Sequence, residues 1–415
     1  MTRFLFFFIF LICVLNNLDA QNLERAVEFG KNPMVRVLIL STNQPVTISV
    51  PPQTILKNHW LNKRFKTDTT FQIISKKESF AIQFKGFSLQ IQDSICIIPD
   101  SQSISGINGK KYRGAFYIYK NETGIEIVNV LDIEYYLMSV IPAEIGNGRK
   151  PNDYQAVMAQ AVSARTFTMD KILNNRSKSL RYDLLASTFD QVYEGISSEN
   201  PSYESILSET RGLVAAYKNE LIQSLYHSTC GGQTENSESI WGGKSFDYLR
   251  SVYCGDGQQN FCSISPYFKW EKELQISGRE TRLKSNLQNR GKIDSLDIFF
   301  HSNKIQDFRI SKRDSSGRVA EITIRSDKKN LTVKGDYVRW LFADDTGAIL
   351  PSNWFSFTAD KLPNQKISKL HFKGRGFGHG LGMCQWGAIG MSRLGYNYSQ
   401  ILRFYYRGID LIKVY

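Results

Sequence analysis

The chain has 415 residues, of which 42% are hydrophobic, 13% aromatic and 22% charged. This composition supplies enough apolar material for one large or two moderate cores, and it excludes a disordered or fibrous protein. Lysine and arginine outnumber aspartate and glutamate by 52 to 39, which gives a net charge of +13. Such a balance attracts anionic polymers such as nucleic acid, lipid surfaces or acidic wall polymers; the alternative is a solvated basic surface without a partner.

The N-terminal segment predicts a secretory signal peptide. Arg3 precedes an apolar run from Phe4 to Leu15, and a polar stretch then ends at Ala20, which is the arrangement of a cleavable signal. The apolar run is shorter than the ~20 residues that a membrane-spanning helix needs. We therefore expect export with cleavage near Ala20, and an uncleaved anchor is the alternative.

From about Met34 to Val130 the sequence pattern predicts β-strands. Apolar and aromatic residues dominate the runs Val35–Leu40, Phe80–Phe84 and Phe116–Tyr119, and Pro, Gly and Asn separate these runs. The dipeptide Asn108-Gly109 is a strong signal for a β-hairpin turn.

The next zone predicts two helices. Apolar residues recur at helical spacing from Leu131 to Val140, and we expect this helix to stop at Pro142. A second, longer and alanine-rich helix opens at Pro151 and runs to about Ile172. Glu144 is then expected in a glycine-containing loop between the two helices.

The last zone predicts strands again and ends in a glycine-rich segment. Period-2 stretches occur between Ile293 and Thr332, for instance Val319–Ile324, and a further strand is expected at Trp354–Phe357. The glycine-rich segment Gly374–Ala388 follows. Together these elements predict an α+β fold with a β-rich N-terminal portion, a helical segment and a β-rich C-terminal portion.

The segment Gly374–Ala388 has the sequence GRGFGHGLGMCQWGA. It does not fit a dinucleotide-binding GxGxxG pattern, and no Gly-Lys-Ser/Thr follows that would indicate a P-loop. Glycines at alternate positions indicate backbone that has positive φ or approaches another segment closely. The side chains between and after them, Arg375, His379, Gln385 and Trp386, offer donors and an aromatic face for a sugar; the alternative is a tight packing motif with a hydrogen-bonded histidine.

Cysteine usage suggests a crosslink. Apart from Cys13 in the predicted signal, the chain contains Cys96, Cys230, Cys254, Cys262 and Cys384. Cys254 and Cys262 bracket a short loop, so an oxidising compartment would permit a disulfide between them, or between one of them and Cys230. The alternative is a zinc site in which His227 joins these three cysteines, although paired CxxC spacing is absent. We expect the disulfide, with no metal and no cofactor.

Several segments, in order, resemble the SpoIID/LytB family (stage II sporulation protein D and its relatives). They are Val128–Leu137, Val140–Glu144, Ala159–Thr166, Gln191–Gly195, His227–Glu235 and Gly374–Ala388. The resemblance covers roughly Tyr112 to Tyr415. In the last segment Cys384 and Trp386 stand where a small polar residue and a tyrosine are common, and the cysteines that some relatives place beside the Gln-Val-Tyr motif are absent. We accordingly expect a signal peptide at 1–20, a β-rich region at 21–111 and a SpoIID/LytB-like domain at 112–415 with a β-rich segment at about 275–370.

The resemblance implies a protein directed at peptidoglycan outside the cytoplasm, in the periplasm or at the cell wall. The sporulation branch implies a lytic transglycosylase that cleaves glycan strands, preferably stripped of peptides, with Glu144 as the catalytic acid and base. The other branch implies a non-catalytic enhancer of a cell-wall amidase. The expected partners are therefore glycan strands and, for the enhancer, an amidase, and not nucleic acid.

A single carboxyl group is sufficient for lytic cleavage because the 6-hydroxyl of the muramyl sugar itself attacks the anomeric carbon. A partly dry cleft would raise the pKa of Glu144 and keep it protonated. The alternative is that Glu144 is a first-turn carboxylate after Pro142 at the start of a helix.

Substrate binding is expected from further residues in the resembling segments: Gln160, Arg165, Tyr193, His227, Arg375, His379, Gln385 and Trp386. Arg165 has the alternative role of a buried structural cation. His227 and His379 have the alternative role of structural hydrogen-bonding histidines.

Overall fold

The computed structural model describes residues 32–100, 103–241, 245–288 and 305–415. The predicted signal peptide at 1–20 and Cys13 lie outside these residues. The chain forms two compact units: unit 1 contains the described residues up to Ser224 together with Asp410–Tyr415, and unit 2 is Leu225–Ile409. The predicted α+β class is confirmed. Within the described ranges we find no helix with both the length and the apolar character of a membrane span.

Unit 1 is built mainly from antiparallel sheets. Its strands are β1 Met34–Thr42, β2 Val46–Val50, β3 Ile55–Lys57, β4 Asn62–Arg64, β5 Thr69–Ser75, β6 Phe80–Phe84, β7 Phe87–Ile91, β8 Ser94–Ile98, β9 Ile104–Ile107, β10 Lys110–Arg113, β11 Ala115–Lys120, β12 Ile125–Asp132, β13 Leu184–Leu185, β14 Leu213–Tyr217, β15 Glu220–Leu221 and β24 Asp410–Lys413. One sheet has the order β13-β1-β12-β11-β8-β3-β4, a second β10-β9-β2-β5-β6-β7, and a small third β15-β14-β24.

The strands predicted in the N-terminal zone are confirmed. Val35–Leu40 lies within β1, Phe80–Phe84 is β6, and Phe116–Tyr119 lies within β11. Asn108 and Gly109 join β9 to β10 with φ of 48° and 81°, as the two central residues of a type I′ hairpin turn require. The boundary that we expected between residues 111 and 112 falls inside β10, which pairs with β9.

Three helices of unit 1 follow β12 in the chain: α1 Ile133–Ile145, α2 Tyr154–Ser177 and α3 Glu204–Glu209. The Asp132 side chain caps α1 by accepting the N–H of Glu134 at 2.7 Å. The prediction that this helix stops at Pro142 is wrong. Proline removes only one backbone donor so close to a helix end, and the N–H of Gly146 still donates to the carbonyl oxygen of Pro142 at 3.1 Å.

The second predicted helix is confirmed and is longer than expected. A 3-10 turn at Pro151–Asp153 leads into α2, which continues beyond Ile172 to Ser177. Its alanines at positions 156, 159, 161 and 164 are fully buried. Small side chains at these positions let α1 and β14 pack closely against α2.

Unit 2 has short helices and small sheets. The helices are α4 Ser237–Trp241, α5 Glu280–Gln288, α6 Tyr337–Leu341, α7 Gln385–Arg393 and α8 Tyr398–Tyr405. The strands are β16 Tyr226–His227, β17 Lys269–Gln275, β18 Ile305–Arg313, β19 Val319–Ser326, β20 Leu331–Lys334, β21 Phe355–Lys361, β22 Ile367–Arg375 and β23 Met383–Cys384. They form the sheets β17-β22-β21 and β18-β19-β20 and the parallel pair β16-β23.

One apolar core holds the two three-stranded sheets of unit 2 together with α5 and α6. Phe342, which follows α6, is fully buried in this core, and its ring centroid lies 5.0 Å from that of Phe372 in β22. The strands predicted at Val319–Ile324 and Trp354–Phe357 correspond to β19 and β21. Residues 293–304 of the other predicted strand region lie outside the described residues.

Candidate functional site

Glu144 lies in the last turn of α1, in unit 1, and its side chain keeps partial contact with solvent. The expectation of a loop position is therefore wrong, and so is the alternative of a first-turn carboxylate. Because the C-terminal end of a helix carries partial negative charge, this position disfavours an ionised carboxyl group rather than stabilising it. The location itself promotes a protonated Glu144.

The segment around Gln191 holds the Glu144 side chain in place. The backbone N–H of Val192 donates to Oε1 of Glu144 at 2.8 Å. The Gln191 amide oxygen accepts from the hydroxyls of Tyr136 in α1, at 3.0 Å, and Thr168 in α2, at 2.9 Å. Since both helices anchor the neighbouring side chain, the Val192 amide is fixed where it meets the carboxyl group.

Burial raises the pKa of Glu144 to about 7, and the hydrogen bond from Val192 acts in the opposite direction. A carboxyl group with this pKa is present in both protonation states near neutral pH. It can therefore donate a proton and later take one back, as a general acid and base must.

The second carboxylate of α1 has a different environment. Arg165 holds Glu134 with two bonds of 2.8 Å, from Nε to Oε1 and from Nη2 to Oε2, and the Tyr415 hydroxyl donates to Oε1 at 2.6 Å. The Nη1 of Arg165 donates to the carbonyl oxygens of Thr210 and Leu213. These contacts fix Glu134 as an ion-pair partner.

The predicted substrate-binding residues of unit 1 are buried. Arg165 and Gln160 are 0% exposed, and Tyr193 is 5% exposed and donates from its hydroxyl to Oδ1 of Asn129 at 2.7 Å. For Arg165 this burial favours the structural alternative over the cleft position. Contact of Gln160 or Tyr193 with a ligand would require surrounding side chains to move.

In unit 2 the two predicted histidines come together. The ring centroids of His227 and His379 are 5.5 Å apart, and both bind the backbone of Leu381: Nδ1 of His227 donates to its carbonyl oxygen, and Nδ1 of His379 accepts its N–H, both at 3.0 Å. Burial lowers the pKa of His227 well below its usual range and that of His379 to about 4. Both rings are therefore neutral near pH 7, and each has the hydrogen bond of the structural alternative.

Arg375 lines an open cavity of about 550 Å³ in unit 2. Its guanidinium lies 4.6 Å from the ring centroid of Trp354, and Arg318 lies 4.9 Å from the same ring. The cavity also contains Trp270 and Lys269, so it offers aromatic faces and positive charge. Such a surface can bind a sugar ring that carries an anionic group.

Gln385 and Trp386 form the first turn of α7. Gln385 is buried, Trp386 is partly buried, and the backbone N–H of Trp386 donates to the carbonyl oxygen of Ser228 at 3.0 Å. The start of α7 is thus attached to the segment that carries His227.

The glycines of Gly374–Ala388 have the conformations expected from their spacing. Gly376, Gly378, Gly380 and Gly382 have positive φ, between 68° and 108°. A Cβ on Gly376 would meet the carbonyl oxygen of Thr229 at 2.7 Å, and one on Gly382 would overlap that of Leu225. Glycine is therefore needed both for φ and for close packing on residues 225–229.

The cysteines depart from the expected disulfide. Cys230, Cys254 and Cys262 are free thiols in the structure, and the Sγ atoms of Cys230 and Cys262 are 3.5 Å apart, well beyond a bond of about 2.05 Å. The predicted zinc alternative differs in one member, because Cys384 completes the cluster in place of His227. Sequence reasoning missed this residue because 154 positions separate it from Cys230; the signal was its unusual place in the glycine-rich segment.

Comparison with known proteins places the two units in context. The family model described as Stage II sporulation protein matches residues 121–217, within unit 1, and a model described as a domain of unknown function, DUF8618, matches residues 256–382, within unit 2. An uncharacterized protein of Brachyspira hyodysenteriae is 30% identical over 391 residues, covering 92% of this chain and 94% of its own.

Two relatives from Bacillus subtilis have functional names. Stage II sporulation protein D is 24% identical over 302 residues, covering 70% of this chain and 77% of its own. The amidase enhancer is 26% identical over 355 residues, covering 77% of this chain and 47% of its own. The structure defines an α+β protein that has a carboxyl group at the end of a helix and a separate glycine-rich segment. The chain belongs to the SpoIID/LytB family.

Proposed function

We propose that this chain is an exported protein that acts on peptidoglycan as a lytic transglycosylase, with Glu144 as its general acid and base. Membership of a family whose relatives include a stage II sporulation protein and an amidase enhancer supports a function connected with peptidoglycan. The observation that supports the reaction is the Glu144 carboxyl group, partly buried at the end of α1, with a pKa raised to about 7.

In the proposed reaction, Glu144 protonates the glycosidic oxygen as its bond to the anomeric carbon of the muramyl sugar breaks. The 6-hydroxyl of the same sugar attacks that carbon and gives its proton to the Glu144 carboxylate, which restores the acid and leaves a 1,6-anhydro end. Because Oε1 accepts the Val192 N–H, the transferable proton belongs on Oε2. No second carboxylate is required, since the nucleophile is part of the substrate.

The second candidate is a non-catalytic protein that binds peptidoglycan and enhances an amidase. It is favoured by the amidase enhancer among the relatives and by the cavity of Arg375, Trp354 and Trp270, which could bind a wall polymer without chemistry. The two candidates differ in whether the protein alone generates a new glycan end.

The test compares wild type with Glu144→Gln and with Glu209→Gln, a matched substitution at an exposed glutamate of α3. Each protein is incubated with glycan strands stripped of peptides and with intact sacculi, with and without an amidase, and the products are identified by mass. We expect anhydro-ended products from stripped strands with wild type and Glu209→Gln. Glu144→Gln should yield none, because an amide cannot donate the proton, and it should still bind the strands.

Two outcomes would contradict the proposal. Wild-type turnover by Glu144→Gln would remove this carboxyl group from the mechanism. Absence of anhydro products from every protein, together with faster peptide release when an amidase is present, would favour the enhancer and leave the family assignment unchanged.

A further inference from the structure

Four cysteines of unit 2 form a compact buried cluster. The Sγ atoms of Cys230, Cys254, Cys262 and Cys384 all lie within 4.8 Å of one another, and all four residues are 0% exposed. In a tetrahedral zinc–thiolate centre with bonds of about 2.3 Å, sulfur atoms are about 3.8 Å apart. The separation of 3.5 Å between Cys230 and Cys262 is near this value.

The four residues come from three separate segments. Cys230 follows β16, Cys254 and Cys262 bracket a loop, and Cys384 is the N-cap residue of α7. Two disulfides would need only pairwise proximity, whereas here each sulfur is close to the other three. Mutual convergence from three segments is the arrangement of a ligand set around one ion.

Hydrogen-bond donors point at the sulfur atoms. The backbone N–H groups of Cys230 and Gly387 donate to Sγ of Cys384 at 3.2 and 3.3 Å, and the Tyr405 hydroxyl lies 3.2 Å from Sγ of Cys254. Sulfur is a weak acceptor as a thiol and a good one as a thiolate, and donors of this kind surround metal-bound cysteines. A side chain at Gly387 would also collide with Sγ of Cys254, since its Cβ would lie 2.6 Å away.

A buried cation lies beside the cluster. Arg318 is 1% exposed and donates from Nη2 to the carbonyl oxygens of Cys230, at 2.7 Å, and Gln233, at 2.9 Å. Its Nη1 also lies 4.0 Å from Oε2 of Glu235. Four thiolates around a divalent cation carry a net charge of −2, and a neighbouring guanidinium reduces the cost of burying it.

We propose that Cys230, Cys254, Cys262 and Cys384 bind one zinc ion in a closed structural site. Binding releases the four thiol protons to solvent and forms four zinc–sulfur bonds, without oxidation or reduction. Four thiolates leave no position for water or substrate, so the ion acts on folding and not on the reaction. It ties the His227 segment, the loop between Cys254 and Cys262, and the start of α7 to one point.

The first experiment measures metal in the full chain purified under reducing conditions without chelator. We expect about one equivalent of zinc per chain by mass spectrometry of the metal. Cys96→Ser is the matched control, because Cys96 lies in β8 of unit 1, outside the cluster, and it should keep the full zinc content. Cys384→Ser should lose most of it.

A second measurement covers the case in which Cys384→Ser does not fold. Zinc is removed from the wild-type chain with a chelator under reducing conditions, and cobalt is added in its place. We expect thiolate-to-cobalt absorption typical of tetrahedral sulfur coordination, and a rise in the thermal unfolding midpoint when zinc is restored. A chain without metal whose four cysteines are paired in two disulfides, iron in place of zinc, or unchanged zinc content in a folded Cys384→Ser would each overturn the proposal.

Discussion

Glu134 and Glu144 share one helix, but their surroundings give them opposite properties. Arg165 and the Tyr415 hydroxyl bind Glu134 directly, whereas Glu144 has a backbone N–H at Oε1 and is largely removed from water. An ion pair stabilises the ionised form of a carboxyl group. Desolvation near a helix C-terminus disfavours that ionised form. This contrast separates a structural carboxylate from one that can transfer a proton.

The raised pKa of Glu144 predicts a pH-dependent effect on stability. Folding raises the pKa from 4.5 to about 7, so the folded chain binds this proton more tightly than the unfolded chain. The contribution of Glu144 to stability is therefore full below about pH 4.5 and is lost as the pH rises toward 7, by at most ~3 kcal/mol before solvent screening. Glu144→Gln lacks this penalty, and its free energy of unfolding relative to wild type should increase between about pH 5 and pH 8.

Urea unfolding of wild type and variant across this pH range measures the difference. Glu209→Gln serves as the control, because it makes the same chemical change at an exposed side chain of α3. A difference between Glu144→Gln and wild type that does not change with pH would show that the carboxyl group titrates normally.

At the scale of single residues, the sequence identifies candidate site residues more readily than the residues that contact them. The segment Val140–Glu144 singles out Glu144 as a candidate through its resemblance to the family, whereas the backbone donor of its hydrogen bond, Val192, lies 48 positions away. Arg165 could be assigned to a cleft or to the core with equal reason until the tertiary structure placed Glu134 against it. Partners of this kind depend on how distant segments pack, and local pattern does not contain that information.

Among the elements, strands were predicted well and one helix end was not. Runs of apolar and aromatic residues bounded by turn residues identify β1, β6 and β11. Pro142 was misleading, since proline ends a helix only where the lost donor and the ring contacts cannot be accommodated. Here the helix has only three residues after Pro142, so the loss is confined to its last turn.

The glycine-rich segment is an element whose sequence is determined by close backbone packing. We predict that Gly382→Ala destabilises unit 2 more than Gly395→Ala. Both glycines have positive φ, 68° and 89°, so each substitution has a backbone penalty of roughly 1–2 kcal/mol. Only at Gly382 would the added Cβ overlap a backbone oxygen, that of Leu225, whereas at Gly395 nothing lies within 4 Å.

Thermal unfolding midpoints of the two variants and of wild type give the measurement. A larger decrease for Gly382→Ala isolates the steric contribution from the contribution of φ, because the φ penalty is common to both variants. Equal decreases would mean that the segment can move away from residues 225–229 without loss of stability.

At the scale of the whole molecule, the division of the chain into two units is the feature that the sequence predicts least well. The last strand, β24, pairs with β14 through Leu213↔Lys413 and Val214↔Ile412, so residues 410–415 belong to unit 1 although unit 2 precedes them. A pairing across so many residues leaves no local signature in the sequence. The two family models, at 121–217 and 256–382, fall in separate units, in agreement with this division.

This connectivity predicts that a chain ending at Ile409 is weakened in unit 1. The deletion removes the partner of β14, the bond from the N–H of Val414 to the carbonyl oxygen of Gly212 at 2.9 Å, and the bond from the Tyr415 hydroxyl to Glu134. Hydrogen exchange should therefore become faster in α1, α2 and β14, while amides of β19 and β22 in unit 2 keep their protection. Tyr415→Phe removes only the hydrogen bond to the Glu134 carboxylate, worth about 1.5–3 kcal/mol, and should have a smaller effect than the deletion. Equal exchange in the shortened and full-length chains would show that unit 1 holds its fold without β24.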